Sequence, residues 1–188
     1  ESCVQALADE LEEQLNRPHV LLGHSMGALL AYGVAQQRIS RGLRPPEALI
    51  VASCRAPHRP APSLDLQMID DHRLAAHLAS YGGLPGDVLS RPEWVALLMP
   101  TVRDDLRIVQ SFRPTDEPPL PCPLYIVGGY DDPLVSPDAL AAWSTLSAQP
   151  QPVRLYRGGH FPFRSPEPAL VAAIARIAVN PAEQRSLC

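Results

Sequence analysis

The segment 23–27, Gly-His-Ser-Met-Gly, constrains the fold of this chain more than any other feature of its sequence. It follows the apolar run 20–22 and opens the largely apolar stretch 26–38, which predicts a strand, a tight turn and a helix in that order. A residue on such a turn has a strained backbone, and glycines two positions before and after it should let strand and helix pass without a Cβ clash. The segment therefore predicts that Ser25 is exposed on a nucleophile elbow.

Predicted strands and helices alternate along the chain. Apolar runs predict strands at 20–22, 48–52, 124–127 and 153–156, and helical patterns lie at 3–15, 26–38 and 136–146 and begin again at Ser165-Pro166. This alternation indicates an α/β fold with a parallel sheet, helices on both faces and functional groups at the carboxyl ends of the strands. Residues 58–119, rich in proline and amphipathic pieces, predict a helical insertion within a single domain that spans residues 1–188.

Composition excludes several classes of function. The chain has 188 residues, 46% of them hydrophobic and 19% charged, and a net charge of -4. That charge disfavours binding to nucleic acid or to an anionic membrane. The chain shows no apolar run of membrane-spanning length and no export signal, so we expect a cytoplasmic protein. The cysteines have neither a C-x-x-C pair nor metal-ligand spacing with histidine; they are Cys3, Cys54, Cys122 and Cys188.

A nucleophilic serine needs a histidine to take its proton and a carboxylate to orient that histidine. Asp131 and Asp132 follow the third predicted strand, and His160 follows the fourth, so the chain offers the order serine, acid, histidine. Asp132 is preferred because the spacing Gly129-x-x-Asp132 followed by proline matches the usual acid loop, with Asp131 as the alternative. We therefore predict a triad of Ser25, Asp132 and His160.

The other histidines are poorer candidates for the base. His19 precedes a strand and so lies at the wrong end of the sheet, and His24 is on the elbow itself, where packing or lining the entrance is expected. The remaining three belong to the insertion: His58, His72 and His77.

Acyl transfer also needs two donors directed at the oxyanion, one of which is the backbone N–H after the nucleophile, here that of Met26. The second donor normally comes from a loop after an early strand. No such strand or loop precedes residue 20. We therefore expect N-terminal strands, and with them the second donor, to be missing from this sequence.

Several motifs together resemble one family. They are Gly-His-Ser-Met-Gly-Ala at 23–28, Arg-Ala-Pro at 55–57, Tyr-Gly-Gly at 81–83, Gly-Gly-Tyr-Asp-Asp-Pro-Leu-Val at 128–135 with Trp143 downstream, and Gly-Gly-His-Phe at 158–161. The set resembles the type II thioesterases that accompany polyketide and nonribosomal peptide synthases, within the α/β-hydrolase superfamily. Two departures are the absent early Gly-rich segment and Pro162, where the family usually has an aromatic residue.

The resemblance implies hydrolysis of aberrant or stalled acyl and peptidyl thioesters from the phosphopantetheine arm of carrier proteins. His160 would deprotonate Ser25, Asp132 would support the imidazolium, and the Met26 N–H would hold the oxyanion. No metal, nucleotide or other cofactor is implied. The insertion at 58–119 would be a lid over an acyl pocket.

An acidic carrier protein could dock on basic side chains on or near the insertion: Arg73, Arg91, Arg103 and Arg107. Ordinary solvated arginines are the alternative. Two other functions stay open. One is an α/β-hydrolase esterase or lactonase acting on free small molecules, because oxygen esters and thioesters use the same triad. The other is a truncated, noncatalytic domain that binds a carrier protein or a synthase.

Overall fold

The computed structural model describes residues 3–60, 64–114 and 117–181, and Cys188 lies outside them. Its elements in chain order are α1 (Cys3–Glu10), α2 (Glu12–Leu15), β1 (Val20–His24), α3 (Met26–Ser40), β2 (Ala48–Ala52), α4 (Asp71–Ser80), α5 (Gly86–Leu89), α6 (Pro92–Ser111), β3 (Leu120–Gly129), α7 (Pro137–Ala141), a 3-10 helix (Ala142–Leu146), β4 (Ser147–Pro150), β5 (Arg154–Tyr156) and α8 (Pro168–Val179).

The five strands of the described residues form one parallel sheet, as the alternation predicted. The order is β1-β2-β3-β4, and β5 pairs with β3 beside its carboxyl end. The central strand, β3, is longer than predicted, and β4 was missed by the sequence analysis. β4 has the sequence Ser-Ala-Gln-Pro, which lacks an apolar run, and it forms because the start of β3 offers backbone partners.

Helices cover both faces of the sheet because neighbouring residues on a strand point to opposite sides. On one face, Leu49 and Val51 of β2 pack with residues of α3 and α7. On the other face, Ile50 of β2 packs with Leu170 and Ala173 of α8. Buried side chains on both faces explain why the β2 sequence is apolar at every position.

Three predicted helix boundaries were wrong. The helix expected at 3–15 is divided at Leu11 into α1 and α2, and the one expected at 136–146 changes to a 3-10 helix after Ala141. The last helix does not begin at Ser165-Pro166 but at Pro168, where a proline occupies the first turn and Glu167 has an extended backbone.

The described part of the insertion contains α4, α5 and α6. These helices share an apolar cluster that includes Leu74, Val88 and Met99. The side chain of Arg103 on α6 donates to the Asp71 carboxylate at 2.6 Å and to the Ile69 carbonyl at 2.7 Å. The insertion therefore has its own small core, closed by an ion pair between α6 and the start of α4.

The turn between β1 and α3 has the strained backbone that the sequence predicted. Ser25 has φ 52° and ψ -121°. A Cβ at Gly23 would lie 2.2 Å from the carbonyl oxygen of Gly27, whereas a Cβ at Gly27 would meet nothing within 4 Å. The two glycines therefore differ: the first is required by the close approach of strand and helix, and the expected steric need for the second is wrong.

Gly23→Ala should lower the free energy of unfolding by about 3 kcal/mol, because the added methyl group overlaps backbone that has no space to move. Gly27→Ala, the matched control, should change it by less than about 1 kcal/mol, because its methyl group enters open space within a helix. Urea unfolding of both variants measures the difference. Similar losses in both would contradict this account of the turn.

Candidate active site

Three predicted side chains from separate loops meet at the carboxyl ends of the strands. The Oγ of Ser25 lies 3.0 Å from Nε2 of His160, and Nδ1 of His160 lies 3.0 Å from Oδ2 of Asp132. The imidazole thus has the nucleophile candidate on one nitrogen and a carboxylate on the other. Little of this carboxylate contacts water, since the Asp132 side chain is 1% exposed.

The structure brings Asp132, and not Asp131, to His160. Oδ1 of Asp132 accepts hydrogen bonds from the backbone N–H groups of Leu134 at 2.8 Å and Val135 at 3.2 Å, which orient the carboxylate. The Asp131 side chain is exposed. Of the two acids that the sequence left open, Asp132 is therefore the one placed to interact with the imidazole.

The loops that carry Asp132 and His160 pack backbone against backbone. The N–H of Tyr130 donates to the carbonyl of Tyr156 at 2.8 Å, and the N–H of Asp131 donates to that of Gly158 at 3.0 Å. A Cβ at Gly129 would lie 2.2 Å from the Gly159 carbonyl oxygen. Glycine at 129 thus permits the contact that sets the distance between the acid and the histidine.

His24 contacts the His160 loop from the elbow. Its Nε2 donates to the backbone carbonyl of His160 at 2.6 Å, and its ring centroid lies 5.2 Å from that of Phe161 and 5.7 Å from that of Phe163. Burial lowers the pKa of His24, although the hydrogen bond to His160 opposes this effect. His24 therefore packs beside the site, as predicted, and its burial favours the neutral form of the ring.

A cavity of about 370 Å³ opens on Ser25 and His160 and continues between the sheet and the insertion. Its walls are mostly apolar and include Leu78 of α4 and Leu106 and Val109 of α6. Sequence reasoning anticipated a pocket here but did not identify its other polar members, because these are distant in sequence and only folding brings them together. They are Ser53, Arg55, His77, Tyr81, Asp105 and Gln110.

Two of these polar residues follow β2. Ser53 is fully buried with φ 47°, and its Oγ has no hydrogen-bond partner among the described residues. Arg55 is 9% exposed, and its guanidinium donates to the carbonyls of Arg59 at 2.6 Å and Val109 at 3.0 Å. Arg55 thereby connects the end of β2 to the last turn of α6.

Met26 begins α3 directly after Ser25. The first N–H groups of a helix have no intrahelical acceptor, so the Met26 N–H is available at the elbow. The expectation that the second donor is missing from this sequence stays a prediction.

The arginines expected at a docking surface differ in their surroundings. Arg103 is bound inside the insertion and its side chain is 17% exposed, so little of it is accessible to a docking partner. Arg107 pairs with Asp104 at 2.5 Å, and Arg91 stacks on Trp94. Arg73 is exposed.

The described residues contain no group of three or more His, Cys, Asp or Glu side chains that could hold a metal ion. Burial raises the pKa of the Cys54 thiol to about 12 and that of Cys122 to about 11, which disfavours the reactive thiolate. Within the same residues, no helix is both long and apolar enough to cross a membrane.

The comparisons with known proteins agree on one family. Residues 1–178 match the family model of the thioesterase domain. Gramicidin S biosynthesis protein GrsT of Aneurinibacillus migulanus is 31% identical over 158 residues, which is 84% of this chain and 62% of that protein. This chain thus spans less than two thirds of that relative's length.

Solved structures agree with the sequence match. RedJ, a thioesterase from the prodiginine biosynthetic pathway in Streptomyces coelicolor, has a TM-score of 0.82 and 32% identity, over 93% of this chain and 68% of RedJ. BorB, a type II thioesterase from the borrelidin biosynthetic cluster, has a TM-score of 0.78 and 32% identity, over 92% of this chain and 72% of BorB. The parallel sheet with helices on both faces is that of the α/β-hydrolase fold. The chain therefore belongs to the thioesterase domain family, and within it to the type II thioesterases that its motifs resemble.

Proposed function

We propose that this chain hydrolyses acyl or short peptidyl thioesters from the phosphopantetheine arm of carrier proteins, and so clears aberrant or stalled chains in polyketide or nonribosomal peptide biosynthesis. One observation carries the proposal: the hydrogen-bonded series of Ser25, His160 and Asp132 lies at the end of a largely apolar cavity. Family membership supports the choice of a thioester as substrate.

In the resting site, Nδ1 of His160 carries a proton and donates a hydrogen bond to the Asp132 carboxylate, which leaves Nε2 free to accept the proton of Ser25. Ser25 Oγ then attacks the thioester carbonyl while its proton moves to Nε2. The buried Asp132 carboxylate stabilises the imidazolium that forms. The Met26 N–H donates to the oxyanion of the tetrahedral intermediate.

Collapse of this intermediate breaks the carbon–sulfur bond, and the proton on Nε2 of His160 passes to the departing sulfur. The acyl group is then an ester of Ser25. A water molecule then takes the place of Ser25 as the nucleophile. His160 removes a proton from this water while the water oxygen attacks the ester carbonyl, and Ser25 leaves with the proton returned from Nε2. The products are a carboxylic acid and a free pantetheine thiol.

The cavity indicates the size of the acyl group. Its volume of about 370 Å³ lies near the lower end of the range of roughly 300–1,000 Å³ that is usual for ligand pockets. A short acyl group in the apolar region beside α6 suits this volume. In this proposal the insertion acts as a lid, because α4 and α6 supply the wall opposite Ser25.

Single-turnover release of propionate from a propionyl carrier protein tests the proposed activity. We expect the native chain to release propionate, and Ser25→Ala to be slower by about 10³-fold or more, because the nucleophile is lost. The propionyl thioester of free pantetheine and the propionyl ester of its oxygen analogue, N-pantothenoylethanolamine, form the matched pair that tests the esterase alternative. A faster reaction with the oxygen ester would favour that alternative, and no release by folded native protein from either substrate would favour the noncatalytic one.

Asp132→Asn should lower kcat by about 10²–10⁴-fold, because an amide cannot stabilise the imidazolium and allows the wrong tautomer of His160. Asp131→Asn is the matched control, because that side chain is exposed and adjacent in sequence. It should retain most of the activity. Steady-state kinetics on one acyl pantetheine thioester measures both variants, and equal losses would remove Asp132 from the proposed mechanism.

We assign His24 as a positioning residue, because it holds the backbone of His160 through a hydrogen bond and takes no part in the proposed proton transfers. Because the pKa of His24 is lowered in the native state, the unfolded chain binds a proton at this residue at a higher pH than the native state does. The stability from neutral His24 is therefore full above its ordinary pKa of 6.5 and is lost as the pH falls below that value.

The stability advantage of the native protein over His24→Gln should accordingly shrink between about pH 7.5 and about pH 5. Urea unfolding of both proteins across this range measures the advantage. A constant difference in unfolding free energy would show that the burial of His24 is not linked to its protonation.

A further inference from the structure

One face of α6 lines the cavity through residues three or four positions apart. These residues are Val102, Asp105, Leu106, Val109 and Gln110. Asp105 is the one carboxylate among the described residues that line the cavity. This half-buried carboxylate is therefore the negatively charged group that a ligand in the cavity would meet.

Within the described residues, Asp105 has no hydrogen bond or ion pair through its side chain. Its neighbour Asp104 instead pairs with Arg107 at 2.5 Å on the exposed side of α6. The amide of Gln110, which shares the cavity wall with Asp105, donates to the Leu64 carbonyl at 2.7 Å. Protein partners therefore satisfy the Gln110 amide but leave the Asp105 carboxylate unpaired.

Other groups in the cavity do not neutralise Asp105. The guanidinium of Arg55 donates to backbone carbonyls, and no ion pair joins it to a described carboxylate. His77 faces the cavity from α4 and has its ring against Tyr81. His24 donates to the backbone carbonyl of His160, and the His160 ring lies between Asp132 and Ser25.

Asp105 is half-buried, so its carboxylate keeps only part of its contact with water. Burial raises the pKa of Asp105, and the nearby Asp104 raises it further. A cationic donor bound in the cavity would reverse both effects, because an opposite charge favours the ionised carboxylate and a charge-assisted hydrogen bond satisfies it. The ligand chemistry that fits this position is therefore an ammonium group.

We propose that Asp105 is a specificity-determining residue that binds a protonated amine on the acyl group, so that the site prefers aminoacyl thioesters over uncharged acyl thioesters of the same shape. This inference rests on the proposed function, because the cavity that contains Asp105 is the one that contains Ser25. The N–H groups of the pantetheine arm are a second source of donors, and the substrates below distinguish the two sources.

Two isosteric pairs of pantetheine thioesters test the preference. Alanyl and isobutyryl differ only by an ammonium in place of a methyl group, and so do β-alanyl and butyryl, which places the amine one carbon farther out. The proteins are the native chain, Asp105→Asn and the control Asp104→Asn, with Ser25→Ala as the background for spontaneous hydrolysis.

We expect Asp105→Asn to lower kcat/KM for at least one aminoacyl thioester by about tenfold or more and to leave its uncharged isostere within about twofold. Asp104→Asn should leave kcat/KM for both members of each pair unchanged. An equal loss on both members of each pair would overturn the inference, because Asp105 would then serve the pantetheine arm or the shape of the pocket. No loss on any substrate would also overturn it.

Binding separates failure of this inference from failure of the proposed function. The Kd of the alanyl, isobutyryl, β-alanyl and butyryl amides of aminopantetheine is measured with Ser25→Ala, alone and combined with Asp105→Asn. Tighter binding of an aminoacyl amide that is lost with Asp105 would support the inference even if the native chain released no acid. Equal affinities within both pairs would overturn it even if the native chain were an active thioesterase.

Discussion

At the elbow, strand and helix lie closer together than a side chain between them would allow. A Cβ at Gly23 would be 2.2 Å from the Gly27 carbonyl oxygen, and Ser25 between them has a positive φ. The N–H of Ser25 is held by the Ala52 carbonyl of β2 at 2.9 Å. This contact places the hydroxyl beyond the sheet and begins α3 at Met26. Both the nucleophile candidate and the oxyanion donor candidate thus depend on one close approach.

The parallel order of the strands explains why the site could be predicted from the sequence. In a parallel sheet the carboxyl ends of all strands share one edge, so residues that follow separate strands converge there. Ser25, Asp132 and His160 each follow a strand and meet as this rule requires. One turn signal was strong because the backbone requires it: Gly158, before His160, has φ 117°, a conformation that other residues rarely adopt.

Features that depend on tertiary contacts were not predictable in this way. The β4 segment has no apolar periodicity and forms only because β3 offers an edge. Arg103 looked like a surface cation in the sequence, yet it bonds inside the insertion. Gly27 matched the elbow pattern, yet the space around it would accept a Cβ. The place of Asp105 in the cavity wall likewise depends on how α6 lies over Ser25, which periodicity alone does not determine.

The wall opposite Ser25 is held to the sheet by the segment after β2. Trp143 Nε1 donates to the Cys54 carbonyl at 2.7 Å, and the next residue, Arg55, donates to the Val109 carbonyl in the last turn of α6. Carbonyls in a last helical turn lack intrahelical donors and carry negative partial charge, so they suit a buried cation that has no carboxylate partner. Val109 and Asp105 are one helical turn apart on α6. The hydrogen bond from Arg55 to Val109 therefore fixes α6 close to Asp105, which lines the cavity. The position of Asp105 relative to Ser25 thus follows from the end of β2, the strand beside the elbow.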